Sequence, residues 1–262
     1  MTNECDKLKP VELTVLMPVR NEGINLRIML KMLRAMVEVP CEVLVVHDTA
    51  EDDSLEVVQA MQESYPYLRS IHNRMGPGVI NAIRSGVAAA QGQRILLFAA
   101  DEVGSVLAIE DMLSLMDQRC DFISCTRYAN GGRRLGGSMI GGFLSRRANR
   151  LFRLLTGTRF TDCTTGIKIF RRDIFEKLNL QARPIGWALA FEMAIKAQYV
   201  GLQLGEVSII SIDWLYGGKS TFTLGPWCKE YFRWFVWGMR HLRKSRQAMP
   251  NVKLVEPQMS CR

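Results

Sequence analysis

The chain has little that would brace it covalently or through a metal. Its seven cysteines (Cys5, Cys41, Cys120, Cys125, Cys163, Cys228 and Cys261) are odd in number, scattered, and never form a C-x-x-C pair. That pattern argues against a disulfide framework and a structural zinc site, and it fits a reducing compartment. Histidine is scarcer still: His47, His72 and His241 fall in no ligand spacing. No apolar run approaches the roughly 18–20 residues that a membrane-spanning helix needs. The opening segment, Met1 to Pro10, is polar and charged, unlike a secretory leader. A cytoplasmic protein is expected, with a membrane surface as a further partner that it touches without crossing. Negative charge is also locally missing. From Arg127 to Arg172 there are eleven Lys or Arg residues against one acid, Asp162. Such a stretch reads either as a solvated basic face or as a surface for phosphates and anionic headgroups. Nucleic acid is not expected as a partner, because no recognised binding motif accompanies the charge.

What is present suits one large α/β domain. The 262 residues are 48% hydrophobic and 23% charged, with a net charge of +8, ordinary values for a globular chain. Leu13–Pro18, Glu42–Val46, Ser70–His72 and Arg94–Ala99 read as short strands. Helical patterns separate them: one from about Ile24 to Leu33, one through Leu55, Val58 and Met61, and one from about Val79 to Ala90. This alternation predicts a doubly wound, mostly parallel sheet. Ligands of such sheets bind beyond the carboxyl ends of the strands, which directs attention to Pro18–Glu22, His47–Ser54 and Ala100–Glu102. Further on, Asp121–Cys125 and Glu206–Ile212 read as strands, and Asn130–Gly142 as a Gly-rich loop. Helices are expected at about Phe143–Thr156, Ala188–Val200 and Tyr231–Leu242. The first of these puts Phe143, Leu144, Ala148, Leu151, Phe152 and Leu155 on one stripe, and Arg146, Arg150 and Arg153 on another. Residues 1–225 are expected to form the main domain, and 226–262 an amphipathic helix with a loose tail. The aromatics Phe232, Trp234, Phe235 and Trp237 beside Arg233 and Arg240, with Arg243, Lys244 and Arg246 beyond, suit either an interfacial helix or one that closes the domain.

Several segments in order resemble the polyprenyl-phosphate sugar transferases, the dolichol-phosphate mannosyltransferase branch of the family 2 glycosyltransferases. Met17-Pro18-Val19-Arg20-Asn21-Glu22 is similar to that family's P-x-x-N-E opening, and Val45-Val46-His47-Asp48 to its strand ending in two acids. Met75-Gly76-Pro77-Gly78, Gly86 and Ala90-Gln91-Gly92 resemble its glycine-punctuated helix. Cys125-Thr126-Arg127-Tyr128, Ser145-Arg146-Arg147-Ala148-Asn149 and Thr165-Gly166-Ile167-Lys168-Ile169-Phe170-Arg171 continue the series. Gly186-Trp187 to Glu192-Met193, Gly205-Glu206-Val207 and Tyr216-Gly217-Gly218-Lys219-Ser220 complete it. The resemblance covers about residues 13 to 225 and implies a GT-A-like nucleotide-sugar-binding domain. It also implies a hexosyltransferase, inverting at the anomeric carbon, that uses a nucleotide-sugar donor and a lipid phosphate acceptor.

On this resemblance, Pro18, Arg20, Glu22, Val46 and Asp48 hold the base and ribose, and Ala100 and Asp101 meet the diphosphate. Asn21 and Glu22 also read as caps of the following helix, and Asp48 as a turn residue. The family's Asp-x-Asp pair binds Mg²⁺ or Mn²⁺, hard cations that want carboxylate oxygens. Here Ala99 replaces the first acid and only Asp101 stays in register, so either Asp101 alone holds a metal on the diphosphate or arginines take over part of its role. Arg127, Arg146 and Lys219 match positions that face phosphates, where arginine's fork suits paired oxygens. Arg146 and Arg150 read equally as solvated helix residues, and Lys219 as a loop lysine. A lipid phosphate is anionic already and needs no general base, whereas a hydroxyl acceptor does. Asp162 and Glu192 are the second-half acids whose contexts fit a base. Asp162 fits a turn with Thr164 or Thr165 as well, and Glu192 a pairing with an arginine. His47 stands where the family has an acid reading the base, and Trp214 where it has an arginine near the acceptor. Transfer to a sugar or small hydroxyl acceptor, and an inactive nucleotide-sugar-binding relative, are the alternatives.

Overall fold

The computed structural model describes residues 10–136, 139–212, 224–242 and 249–254. Its first half is a strand–helix alternation: β1 (Leu13–Pro18), α1 (Gly23–Met36), β2 (Cys41–His47), α2 (Ser54–Met61), β3 (Leu68–His72), α3 (Val79–Ala89) and β4 (Arg94–Leu97). After a 3-10 helix and α4 (Ile109–Asp117) come β5 (Phe122–Thr126), β6 (Arg133–Leu135), α5 (Met139–Thr156) and β7 (Lys168–Arg171). Helix α6 (Ala188–Tyr199), β8 (Leu204–Ser208), β9 (Ile210–Ile212), α7 (Leu224–His241) and β10 (Asn251–Val252) follow. The main sheet has eight strands in the order β10-β8-β5-β7-β4-β1-β2-β3. All neighbours run parallel except β7, which is antiparallel to both β4 and β5.

Strand alternation splits the core in two. Leu13, Val15, Met17, Val43, Val45 and Leu96 face the layer made by α1, α2 and α4. Leu16, Leu44, Val46, Ile95, Leu97 and Phe122 face the other, with α3 and α6. Both faces of the central strands are therefore dry, which is why these runs are continuously apolar rather than alternating. The second layer sits close to the sheet at Gly86, where a Cβ would come 2.4 Å from Leu16 Cδ1.

Three elements differ from expectation. The Asn130–Gly142 loop contains β6, which pairs parallel with β9 in a separate two-stranded sheet, and α5 starts already at Met139. The expected Glu206–Ile212 strand is broken into β8 and β9, which belong to different sheets. On α5, Asn149, Phe152 and Thr156 are buried, while Phe143, Leu144, Leu151 and Leu155 of the expected apolar stripe are exposed. Helix α7 packs on α5 and α6. Trp234 is buried in that layer and Phe235 lies 5.0 Å from Phe152, so much of the aromatic face closes the core while Phe232 stays exposed. Arg243, Lys244 and Arg246 lie outside the described residues.

Candidate functional site

The carboxyl ends of β1, β2 and β4, adjacent strands in the sheet, bring together most of the expected donor-site residues. Val19 N–H bonds to the Val46 carbonyl (2.9 Å), tying the two strand ends where Pro18 and Val46 sit. Arg20 is exposed beside them. Asn21 takes a left-handed conformation (φ 56°). The turn is held by the β2–α2 loop: Asp52 accepts from Asn21 N–H at 3.2 Å, Ser54 Oγ from Glu22 N–H at 3.1 Å, and Asp53 from Gly23 N–H at 2.9 Å. Glu22 occupies the position before α1 but makes no side-chain cap. Its carboxylate instead accepts from Asn25 Nδ2 (2.7 Å). Burial raises its pKa, with Asp101, Asp53 and Asp52 adding repulsion. Asp101 is thus close enough for its charge to act on Glu22, as a shared pocket requires.

Asp48 does more than close a local turn. Its carboxylate accepts from Asn73 Nδ2 (2.7 Å) and Gly78 N–H (3.0 Å), spanning to the loop before α3. Gly78 has φ 112° and a Cβ there would sit 2.6 Å from Pro184 Cβ, so no other residue fits without a shift. His47 is buried, its Nδ1 is 2.8 Å from the Thr49 carbonyl, and its ring stacks on His72 at 5.2 Å.

At the end of β4 the chain turns, leaving Ala100 buried and Asp101 exposed. The neighbouring Glu102 carboxylate accepts from Ser211 Oγ on β9 (2.8 Å). Among the described residues no three His, Cys, Asp or Glu side chains are grouped to hold a metal. Among the described residues the donor set for a divalent cation is therefore incomplete: Asp101 stands exposed at the strand end without the three grouped ligands that a closed site would show.

Arg127, just past β5, is locked in a buried pair. Its Nε and Nη2 donate to the two carboxylate oxygens of Asp162 at 2.7 and 3.2 Å, and Nη2 also reaches Thr164 Oγ1 at 3.0 Å. Among the described residues its Nη1 takes no partner. Asp162 is fully buried. Burial alone would push its carboxyl up, but Arg127 and the Thr164 hydrogen bonds hold it below the ordinary aspartate range. A carboxylate so stabilised is a poor proton acceptor, so Asp162 acts here as the residue that positions Arg127 rather than as a base. Glu192 is also buried; it accepts from Gln181 and Ala182 N–H and pairs with Lys196 (2.7 Å), not with an arginine. Arg146 is exposed on α5. Lys219 and Trp214 lie outside the described residues.

Sequence reasoning missed the layer beneath Arg127. Thr161 hydroxyl bonds Thr126 Oγ1 (2.7 Å) and donates to Glu206 (2.9 Å), whose pKa burial raises to about 7. Lys168 Nζ, fully buried, donates to Ser124 Oγ (2.9 Å), and burial lowers its pKa to about 8. Tyr128 OH donates to Ser145 Oγ on α5 (2.9 Å), and Asn149 Nδ2 reaches Thr164 Oγ1 (3.2 Å). The Tyr231 hydroxyl of α7 is buried within the field of Arg127 and Asp162. A run of basic and hydroxyl residues signals phosphate chemistry but not which of them pair with which acid.

The family described as "Glycosyl transferase family 2" matches residues 14–179, which run from β1 through β7 and carry Pro18–Glu22, Asp48, Asp101, Arg127 and Asp162. The chain belongs to this family. Its relatives include the glycosyltransferase AglD of Haloferax volcanii, 25% identical over 218 residues, covering 78% of this chain and 33% of that protein. The dolichyl-phosphate beta-glucosyltransferase ALG5C of Trichomonas vaginalis is 21% identical, covering 76% of this chain and 63% of its own length. The dolichol-phosphate mannosyltransferase of Mycosarcoma maydis is 24% identical over 74% of this chain and 68% of its own. The chain thus spans a third of AglD and somewhat under two thirds of ALG5C. Among solved structures, glucosyl-3-phosphoglycerate synthase from Mycobacterium tuberculosis, in complex with Mn²⁺, UDP and glucosyl-3-phosphoglycerate, superposes with a TM-score of 0.64 at 14% identity. The match covers 93% of this chain and 89% of that one. S. aureus TarS with UDP-GlcNAc gives 0.62 at 16% identity, covering 89% and 68%. The fold is the GT-A glycosyltransferase fold.

Proposed function

We propose that the protein transfers a sugar from a nucleotide-sugar donor to a polyprenyl phosphate. The observation that carries this reading is the arrangement of Glu22, Asp48 and Asp101 at neighbouring strand ends, with the Arg127–Asp162 pair at the end of β5 in the same sheet. The names of the curated relatives from Trichomonas vaginalis and Mycosarcoma maydis support a dolichyl-phosphate acceptor. Pro18, Arg20, Glu22, Val46 and Asp48 receive base and ribose, and Ala100 and Asp101 the diphosphate. Asp101 would hold a Mg²⁺ or Mn²⁺ ion, which would neutralise charge on the leaving diphosphate. Arg127 and Arg146 are assigned to the phosphates, and Lys219, which lies outside the described residues, joins them by its family motif alone; Arg127 offers Nη1 while Asp162 fixes its plane.

In the reaction, an oxygen of the lipid phosphate attacks the anomeric carbon as the bond from that carbon to the diphosphate oxygen breaks, and the nucleoside diphosphate leaves with the electron pair. The attacking oxygen is already anionic, so no proton need be removed. This is consistent with Asp162 and Glu192 both being occupied by other partners. The free thiols Cys41, Cys120, Cys125, Cys163 and Cys228 favour a cytoplasmic setting. Among the described residues no helix is long and apolar enough to cross a membrane.

The test is incubation with a panel of labelled nucleotide sugars, with and without polyprenyl phosphate, followed by phase separation. Label entering the organic phase only with the lipid supports the reading. Label that remains aqueous with every donor, or that appears on a soluble hydroxyl acceptor instead, refutes it.

A further inference from the structure

Helix α5 turns most of its large apolar side chains toward solvent. Met139, Phe143, Leu144, Leu151, Leu154 and Leu155 are exposed, Met139 at 90% and Leu154 at 66%. A continuous soluble surface rarely leaves so many together in water. Among them stand Arg146, Arg147, Arg150 and Arg153, also exposed, on a helix whose sequence contains no acid. Among the described residues no carboxylate pairs with any of these four arginines. Arg147 lies over the Phe143 ring at 4.9 Å, its charge at the edge of the apolar strip.

The inner face of the same helix is fastened to the catalytic end. Ser145 Oγ accepts from Tyr128 OH, and Asn149 reaches Thr164 Oγ1 and accepts from Cys163 N–H (2.9 Å). Thr164 in turn is bonded to Arg127 and Asp162. Whatever α5 rests on is therefore held at a fixed place relative to Arg127.

The charge decides what that is. A second copy of this chain would set the four arginines against four more, without a carboxylate on either helix. Apolar side chains interleaved with unpaired arginines match the boundary between acyl chains and anionic headgroups, where leucines insert and guanidinium groups stay among phosphates. We propose that the outer face of α5 docks on an anionic lipid bilayer and lies in its interface plane, carrying the Arg127 site to the level of the headgroups. The proposal deepens the lipid-phosphate reading and rests on it for its purpose, since a membrane-held α5 brings Arg127 to an acceptor that cannot leave the membrane.

The experiment uses vesicles that contain no polyprenyl phosphate, so that docking is read without transfer. Full-length protein is floated with phosphatidylcholine vesicles, with and without phosphatidylserine, at low and high salt. Binding is expected only with the anionic lipid and is expected to weaken as salt screens the arginines. Replacing Arg147, Arg150 and Arg153 with Gln should weaken it roughly a hundredfold, about fivefold per charge. Leu151→Ser, Leu154→Ser and Leu155→Ser, at exposed positions, should each cost about tenfold with unchanged thermal unfolding. Absence of binding to anionic vesicles at low salt would overturn the proposal, as would binding indifferent to both sets of substitutions. So would a shift from dimer to monomer in the leucine variants during sedimentation, which would assign the face to a second copy. Transfer to a short, water-soluble prenyl phosphate in the same preparations tests the acceptor reading separately: activity there without vesicle binding sinks the docking surface alone.

Discussion

Asp162→Asn is the substitution that probes the site most directly. The wild-type carboxylate accepts five hydrogen bonds, from Arg127 Nε, Nη2 and N–H and from the Thr164 N–H and hydroxyl. It is fully buried, and the Arg127 side chain is 14% exposed. Asparagine keeps the shape and one acceptor oxygen but presents an amide to a guanidinium and leaves that cation uncompensated. Breaking a buried pair in this way costs about 3–5 kcal/mol. Because Arg127 retains some contact with solvent, the lower end applies, about 3 kcal/mol, which in a domain near this size lowers Tm by roughly 6–12 °C. The pair is separated from mere loss of packing by a double-mutant cycle with Arg127→Met: the double variant should be less destabilised than the sum of the singles by about 2 kcal/mol. Stability is measured by urea unfolding at constant slope, alongside transfer at saturating donor. Asp162 has a depressed folded pKa, so its stabilisation is fully present above the unfolded value near ~3.9. It is lost as pH falls from there through the lower folded value. The Asp162→Asn protein should lack that acid limb. A variant within about 1 kcal/mol of wild type, or additive with Arg127→Met, would refute the account of Asp162 as the group that holds Arg127.

Other outcomes are expected. Asp101→Asn should abolish transfer with an unchanged unfolding curve; wild-type turnover would remove Asp101 from the diphosphate site. Activity after chelation should fall less than completely, because Ala99 removes one metal ligand, and total loss restored by micromolar Mg²⁺ or Mn²⁺ would show that Asp101 suffices. Glu206 and Lys168 should tilt the stability curve in opposite directions. With the Glu206 pKa raised to about 7, folded protein holds an extra proton, so stability falls as pH rises from the unfolded carboxyl value to about 7. With the Lys168 pKa lowered to about 8, stability rises between that pH and its unfolded value. Glu206→Gln and Lys168→Met should each flatten their own limb, read as urea midpoints across pH, and an unaltered slope in either would discard that assignment.

How much of this was legible beforehand depends on the range of the interaction. Strands β1, β2 and β4 and their helices announce themselves, because a sheet covered on both faces demands apolar runs such as Val15–Met17, Val43–Val46 and Ile95–Phe98. The strand ends followed directly, and with them Pro18–Glu22, Asp48 and Asp101. Three-residue strands such as β6 and β9 carry no period to read; they exist because Arg133–Leu135 and Ile210–Ile212 meet across long sequence separation. The stripe on α5 misled for a different reason. An apolar stripe normally marks the face toward the core, yet Phe143, Leu144, Leu151 and Leu155 face out while Asn149 is buried. A polar residue goes inside only when its bonds are met there, and Asn149 has Ser145 O, Thr164 Oγ1 and Cys163 N–H for that.

The same asymmetry governs the site. A residue type reveals the chemistry it can offer, but its partner decides whether it offers it. Asp162 and Glu192 both suit a base by type; Arg127 claims the first and Lys196 the second, along with backbone amides in each case. Glu102, adjacent to Asp101, could serve a metal by type; Ser211 turns its carboxylate toward β9. Arg127 itself, expected to meet phosphate with its fork, spends three of its donor bonds on Asp162 and Thr164, and among the described residues only its Nη1 is without a partner. On the proposed function, a fork pinned in this way could not rotate to follow a wandering phosphate, so a phosphate acceptor would have to come to it in a defined pose, as one held at a membrane surface beside α5 would.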